Sequence, residues 1–166
     1  MDPHTIKRRL SCILAADAVG YSAHMGRDEV GTVRVLAAHR AVIDGIIAFH
    51  EGRIVGTAGD SVLAEFSSVV EAVRCAVEIQ EAIKTRNDSL PPAQQMSFRV
   101  GINLGDVVVR ENDLLGDGIN VAARLETLAP RATLTPLAPA RPGREIAPFG
   151  DPAMAAIGCA LCRWRA

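Results

Sequence analysis

Two aspartates stand where a carboxylate is not the ordinary choice. The apolar run Ile13 to Ala16 leads directly into Asp17, and a small turn-forming stretch, Ala18-Val19-Gly20-Tyr21-Ser22, follows. A strand leaving a core ordinarily ends in Gly, Asn or Ser. Asp60 lies in a tight Gly59-Asp60 turn between two strand-like segments, "RIVGTA" and "SVLAEF". Two neighbouring carboxylates without a counter-ion repel each other, and one pKa rises. A pair of divalent cations relieves this, because Mg²⁺ is held by one or two carboxylates with substrate phosphates completing its shell. Two ions roughly 3.5–4 Å apart can activate an attacking oxygen and stabilise a leaving one. Gly20 lets the backbone turn, and the N–H groups entering the next helix suit a phosphate. A single strand-end Asp ordinarily caps a turn, so only the pair points to metal.

A third piece lies further on. "GDGINVAARLE" has a helix-start signal at Asp117 or Gly118 and carries Asn120 and Arg124 at i and i+4, on one helical face. An amide and a guanidinium together offer hydrogen bonds and a fixed positive fork for a sugar oxygen and a phosphoryl group. The bland alternative is a solvated face with Arg124 paired to Glu126.

Several elements must position these groups. Ser11 to Ala16 reads as a buried strand. Residues 26–52 have helical spacing, with Val33, Leu36, Ala37, Ile43, Ile46 and Ile47 on one face and Gly52 as the helix-ending residue. The two strands around Gly59-Asp60 come next. "VVEAVRCAVEIQEAIKTRN" is an amphipathic helix whose stripe is Val69, Val73, Ala76, Ile79 and Ile83. After Pro91-Pro92, "SFRVGINLGDVVVRE" reads as a hairpin with Val100, Ile102 and Leu104 inward and Gly105-Asp106 as its turn. The order is β-α-β-β-α-β plus one more strand and a helix. This is a mixed α/β (α+β) class, the ferredoxin-like split βαβ palm. In that topology the first and third strands are antiparallel neighbours, so Asp17 and Asp60 meet at one sheet edge.

The bulk composition narrows the field. The 166 residues fit one domain, and 49% hydrophobic content supports a real core built from Val, Ile, Leu and Ala, since aromatics make up only 4%. With 18 basic against 19 acidic residues, no nucleic-acid groove is indicated. No segment has the length of a membrane span or the form of a signal peptide, which makes the cytoplasm the expected compartment. Cys12 and Cys75 read as buried small hydrophobes. Residues 1–10 are an N-terminal lead, 11–129 the folded unit, and 130–166 a Pro/Ala/Arg-rich, poorly ordered tail without strand alternation. Cys159-x-x-Cys162 in that tail is half of a zinc spacing with no second ligand pair near it.

Five collinear blocks carry a family resemblance: "RRLSCILAADAVGYSAHMG", "GRIVGTAGDSVLAEF", "AVRCAVEIQ", "FRVGINLGDVVV" and "LLGDGINVAARLE". Together they resemble the catalytic domain of class III adenylate/guanylate cyclases of the bacterial type, over roughly residues 8 to 128. The resemblance implies that Asp17 and Asp60 hold two Mg²⁺ or Mn²⁺ ions per site. It implies that Asn120 orients the ribose and Arg124 stabilises charge on the reacting phosphate. Ala18, Val19, Gly20 and Tyr21 would form the phosphate loop, and Asp113 would be one of two purine-selecting residues. The implied reaction is attack of the ribose 3′-hydroxyl on the α-phosphate of ATP, giving 3′,5′-cyclic AMP and pyrophosphate. The implied assembly is a head-to-tail homodimer with shared sites, or a heterodimer with an intact cyclase.

Two departures from the family pattern are visible. The usual purine-selecting lysine falls at Gly56, which offers no side-chain donor, so ATP is the expected substrate through Asp113, with GTP second. The pattern also stops near Ala129, where further strands and a phosphate-binding lysine would be expected. A non-catalytic remnant or regulatory dimerisation partner is therefore the alternative to an active enzyme. Another two-metal palm enzyme, a polymerase or a diguanylate cyclase, is disfavoured by the lone acid in "GTAGDSVLAEF".

Overall fold

The structure is a computed structural model, and it describes residues 7–110, 113–128 and 134–137. In chain order the elements are β1 (Lys7–Ala18), α1 (Tyr21–Arg27), α2 (Glu29–Phe49), β2 (Arg53–Ala58), β3 (Ser61–Phe66), α3 (Val69–Asp88), a short 3-10 turn (Pro92–Gln94), β4 (Phe98–Arg110), β5 (Asp113–Leu115), α4 (Asp117–Leu128) and β6 (Leu134–Leu137). Cys159, Cys162 and the rest of the tail beyond β6 lie outside the described residues.

One sheet runs β2-β3-β1-β4-β5, with β6 added parallel to β4. The stretch β2-β3-β1-β4 is the strand order of the split βαβ palm, so the fold is the α+β arrangement that the element order implies. Alternation along β1 divides its side chains between two layers. Cys12, Leu14, Ala16 and Ala18 join the main core beneath α2 and α3. Ile13 and Ala15 face the other way, into a smaller cluster with Val107 and Ala122 of α4.

Local chemistry sets the helix ends. Asp28 caps α2 by accepting the Gly31 N–H at 2.9 Å, and Ser68 caps α3 by accepting the Glu71 N–H at 3.3 Å. Cys12 and Cys75 are buried, and burial pushes their thiols up to about 11 and about 12 respectively. Among the described residues, no helix is long and apolar enough to cross a membrane.

Four details differ from the sequence reading. First, Gly105-Asp106 is not a turn: β4 runs unbroken from Phe98 to Arg110. The reason is β1, which begins at Lys7 rather than Ser11 and supplies partners along this whole length, from Lys7↔Val109 to Ala18↔Phe98. Turn-prone residues stay extended when a neighbouring strand satisfies their backbone. Second, Leu134–Leu137 form β6, where no strand alternation is visible. Third, the helix over 26–52 is two helices, and the buried positions of α2 are Thr32, Leu36, His39, Ile43, Ile46 and Ile47, while Val33 is exposed. Fourth, the left-handed residue after α2 is Glu51 (φ 58) and not Gly52. Gly52 is small for a packing reason: a Cβ there would lie 2.6 Å from the Phe66 ring.

Candidate active site

The C-terminal end of β1 and the β2–β3 turn meet as the topology requires. Register pairs Ala16 with Val62, which brings Asp17 level with Ser61 and the turn that precedes it. Gly59 adopts φ 59, and the turn closes in two residues because Ala58 pairs with Ser61. The Asp17 side chain lies on the α4 side of the sheet, continuing the Ile13, Ala15 alternation.

Contacts around the two carboxylates are specific. The Arg99 Nη2 donates to Asp17 Oδ2 at 2.9 Å, from the position directly opposite on β4. The Ser61 Oγ donates to Asp17 Oδ1 at 3.2 Å. Asp60 lies beside Asp17, and its carboxyl is pushed up to about 6, chiefly by burial and then by hydrogen bonding with Asp17 and that residue's negative charge. The Ala18 N–H works against this shift by donating to Asp60.

Another acid on this side of the sheet shows what a satisfied carboxylate looks like here. Glu65 is buried yet held below the usual range: burial alone would raise it, but bonds from Ser11, Arg53 and Arg9 prevail. Those donors include Ser11 Oγ at 2.7 Å and Arg53 Nη2 at 2.8 Å. Among the described residues one guanidinium, that of Arg99, pairs with these two carboxylates, so the site is short of positive charge once both ionise. Hard carboxylate oxygens in contact, with positive charge lacking, fit a divalent cation. Among the described residues no group of three or more acids, histidines or cysteines gathers around a metal position. That is compatible with Mg²⁺, which takes its remaining ligands from water and phosphate.

The loop behind Asp17 is partly committed. Val19 N–H donates to Ser97 O at 2.8 Å, and Ala18 N–H is engaged with Asp60. Gly20 takes φ 69 and sits at the start of α1, where its carbonyl accepts from Ala23 and His24. Tyr21 packs against the main core.

Asn120 and Arg124 sit elsewhere. α4 rests on the sheet through Ala122 and Ile119, and both polar residues are exposed. Gly116, and not Asp117 or Gly118, precedes its first turn, accepting the Ile119 N–H at 3.3 Å. Among the described residues no hydrogen bond or ion pair joins Asn120 or Arg124 to Asp17 or Asp60. Gly56 lies on β2 opposite Leu63, next to a bulge, and Asp113 opens β5 opposite Arg110. β2 and β5, although separated in the strand order, come into contact.

Arg99 is the site residue that the sequence did not single out. Its only signal was position: two residues before Gly101 on a strand whose register with β1 is not legible without the fold.

Comparisons with known proteins agree on a family. The sequence model of the adenylate and guanylate cyclase catalytic domain matches residues 8–135. A Rhizobium meliloti (strain 1021) protein provisionally named adenylate cyclase 3 is 49% identical over 130 residues. The match covers 78% of this chain but 22% of that relative, so the chain spans about a fifth of its length. Among solved structures, an adenylate/guanylate cyclase/hydrolase from Silicibacter pomeroyi is 42% identical with a TM-score of 0.72, covering 78% of this chain and 76% of that one. The guanylyl cyclase Cya2 is 25% identical with a TM-score of 0.68, covering 78% and 75%.

Proposed function

Because the chain belongs to the adenylate and guanylate cyclase catalytic domain family, we propose that it is a nucleotidyl cyclase acting on ATP. The ribose 3′-oxygen attacks the α-phosphorus, the bond from that phosphorus to the bridging oxygen breaks, and pyrophosphate leaves. The hydroxyl proton passes to solvent, and 3′,5′-cyclic AMP remains. The observation that carries this reading is the contact between the Asp17 and Asp60 carboxylates beside the loop leading to α1.

Asp17 and Asp60 would hold two Mg²⁺ or Mn²⁺ ions, which when bound acidify the ribose hydroxyl and neutralise the triphosphate. Arg99 holds Asp17 in place through its bond at 2.9 Å. The turn at Gly20 admits the phosphates close to the backbone, with Ala18, Val19 and Tyr21 shaping the loop. Asn120 donates to and accepts from ribose oxygens, and Arg124 places a permanent positive charge where negative charge grows at the α-phosphate. Nucleophile and electrophile belong to one molecule, so most of the work is holding a cyclising conformer. Good orientation of that kind supplies on the order of 7–11 kcal/mol.

Two sites shared head to tail in a homodimer account for the separation of the polar groups. Asp17 and Asp60 of one subunit would face Asn120 and Arg124 of the other, which is why the latter stand exposed on α4. Purine selection would rest on Asp113, since Gly56 has no side-chain donor, and ATP is favoured over GTP. Residues 11–129 form the catalytic unit in this reading, and the chain works in cyclic-nucleotide signalling in the cytoplasm.

A mixing assay tests this. Asp17→Ala and Arg124→Ala chains are purified separately, then combined with ATP and Mn²⁺. Cyclic AMP from the mixture, with none from either alone, is the expected result. If the unmutated chain is folded and dimeric yet makes no cyclic nucleotide, the catalytic reading fails. Activity that appears only with an intact cyclase would make this chain a regulatory partner.

A further inference from the structure

A groove of about 570 Å³ lies away from the carboxylate pair, between α1, the first half of α2, the end of α3 and the 3-10 turn. Three arginines from three different elements converge on it: Arg27 ends α1, Arg34 lies in α2, and Arg86 is in the last turn of α3. The only carboxylate in the lining is Asp28, and it is engaged as the α2 cap. Among the described residues none of these three guanidinium groups is ion-paired. The Nε of Arg86 is moreover buried with no hydrogen-bond partner.

That combination is uncommon for a merely structural surface. A buried donor left unpaired costs free energy, and native structures avoid it unless something else satisfies the group. Like charges drawn together from separate elements also repel, so the arrangement favours an anion. Guanidinium forks pair with phosphate oxygens two bonds at a time, which neither water nor a lone chloride matches. The remaining wall is apolar, with Val35, Leu90 and Pro92 among its residues. The space exceeds what one inorganic phosphate needs and is in the range of small-molecule sites.

We propose that this groove is a second binding site, for a nucleoside phosphate, with the phosphates on Arg27, Arg34 and Arg86 and the base on the apolar wall. The site is separate from the carboxylate pair, and it stands whether or not the chain is a cyclase. It has a route to the carboxylate loop, because α1 supplies His24 and Arg27 to the groove and begins at Tyr21, directly after Gly20.

The test is calorimetric titration of the unmutated chain in EDTA, where metal-dependent nucleotide binding is suppressed, with ADP as the probe. Pyrophosphate and uncharged adenosine are the comparison probes. One saturable ADP site per chain is expected, with weaker pyrophosphate binding and no adenosine binding. The exposed substitution Arg34→Glu should weaken ADP by about tenfold or more, as should Arg86→Gln, while Arg124→Ala leaves it unchanged. Circular dichroism checks the fold of each variant, and Arg27→Glu is the second charge reversal. No saturable binding, an unchanged affinity in folded Arg34→Glu and Arg27→Glu, or a loss in Arg124→Ala instead would each overturn the proposal. Pyrophosphate binding as tightly as ADP would overturn the assignment to a nucleoside phosphate.

Discussion

Asp17 and Asp60 lie side by side at the junction of β1 with the β2–β3 turn, with Arg99 Nη2 donating to Asp17 Oδ2 at 2.9 Å and Ser61 Oγ to Asp17 Oδ1 at 3.2 Å. Burial first, then hydrogen bonding with Asp17 and its negative charge, pushes the Asp60 carboxyl up to about 6.

In metal-free buffer, the folded chain binds a proton on Asp60 more tightly than the unfolded chain, whose Asp60 has the ordinary value of 3.8. Stability from this group is therefore greatest below about 4 and declines as pH rises to about 6. Melting temperatures measured in EDTA should show that decline, and Asp60→Asn should flatten it. At pH 7.5, added Mn²⁺ should raise the melting temperature by an amount equivalent to about 2.7 kcal/mol at a hundred times its dissociation constant. That gain should fade as pH falls through 6 and vanish in Asp60→Asn. An equal Mn²⁺ effect in Asp60→Asn would show that the cation binds elsewhere.

Gly56 can accept a side chain. A Cβ there would meet Leu63 Cβ at 3.8 Å, an ordinary contact, on the edge strand β2. Gly56→Lys should therefore fold normally and raise the ATP-to-GTP ratio of kcat/KM by about tenfold, the effect of one recovered polar contact. A ratio that does not move in a folded, active variant would place purine selection away from β2.

His50 offers a pH dependence of opposite chemical origin. Its Nδ1 lies 2.8 Å from Glu71 Oε2 and its Nε2 lies 2.7 Å from Glu78 Oε2. Ionised carboxylates only accept, so both ring nitrogens must carry hydrogens and the ring is cationic. The Glu71 bond raises its pKa most, against burial that lowers it and with help from Glu78, while Arg74 pairs with the other Glu71 oxygen. A raised histidine stabilises fully below its unfolded value of 6.5 and loses that contribution as pH climbs through the folded value. Urea midpoints should fall from pH 6 to pH 9 in the unmutated chain and change less in His50→Gln.

Gly52→Ala would set a methyl 2.6 Å from the Phe66 ring and 2.8 Å from Ile47 Cγ2. Both neighbours are core residues with little room to move. Overpacking of this kind costs about 1–3 kcal/mol. Denaturant unfolding should report that loss, while the cyclase rate per folded molecule stays near that of the parent chain.

The carboxylate contact was legible in the sequence because two short-range patterns fix it. The apolar run Ile13 to Ala16 leads straight into Asp17, and a two-residue turn fixes where Asp60 falls. Arg99 was not legible, since its pairing depends on which β4 residue lies opposite Asp17. Gly105-Asp106 misled for a related reason: turn chemistry is local, whereas the long β1 partner that keeps these residues extended is not. His39 and His50 are likewise residues the sequence did not single out. Each is buried because a distant group, Asn87 or the Glu71 and Glu78 pair, satisfies its ring. The side of α4 that would meet a second subunit in the proposed dimer has no counterpart in one chain's periodicity.

β1 pairs with β4 at twelve successive positions, from Lys7 to Ala18. The same ladder that secures the hydrophobic layers thus also aims the acid at its end. Sliding by a single residue would turn Asp17 under the helices and strand it away from Arg99. Errors in pairing and loss of the carboxylate pair are therefore one event in this molecule, so drift in the apolar residues of either strand is also drift in where Asp17 is aimed.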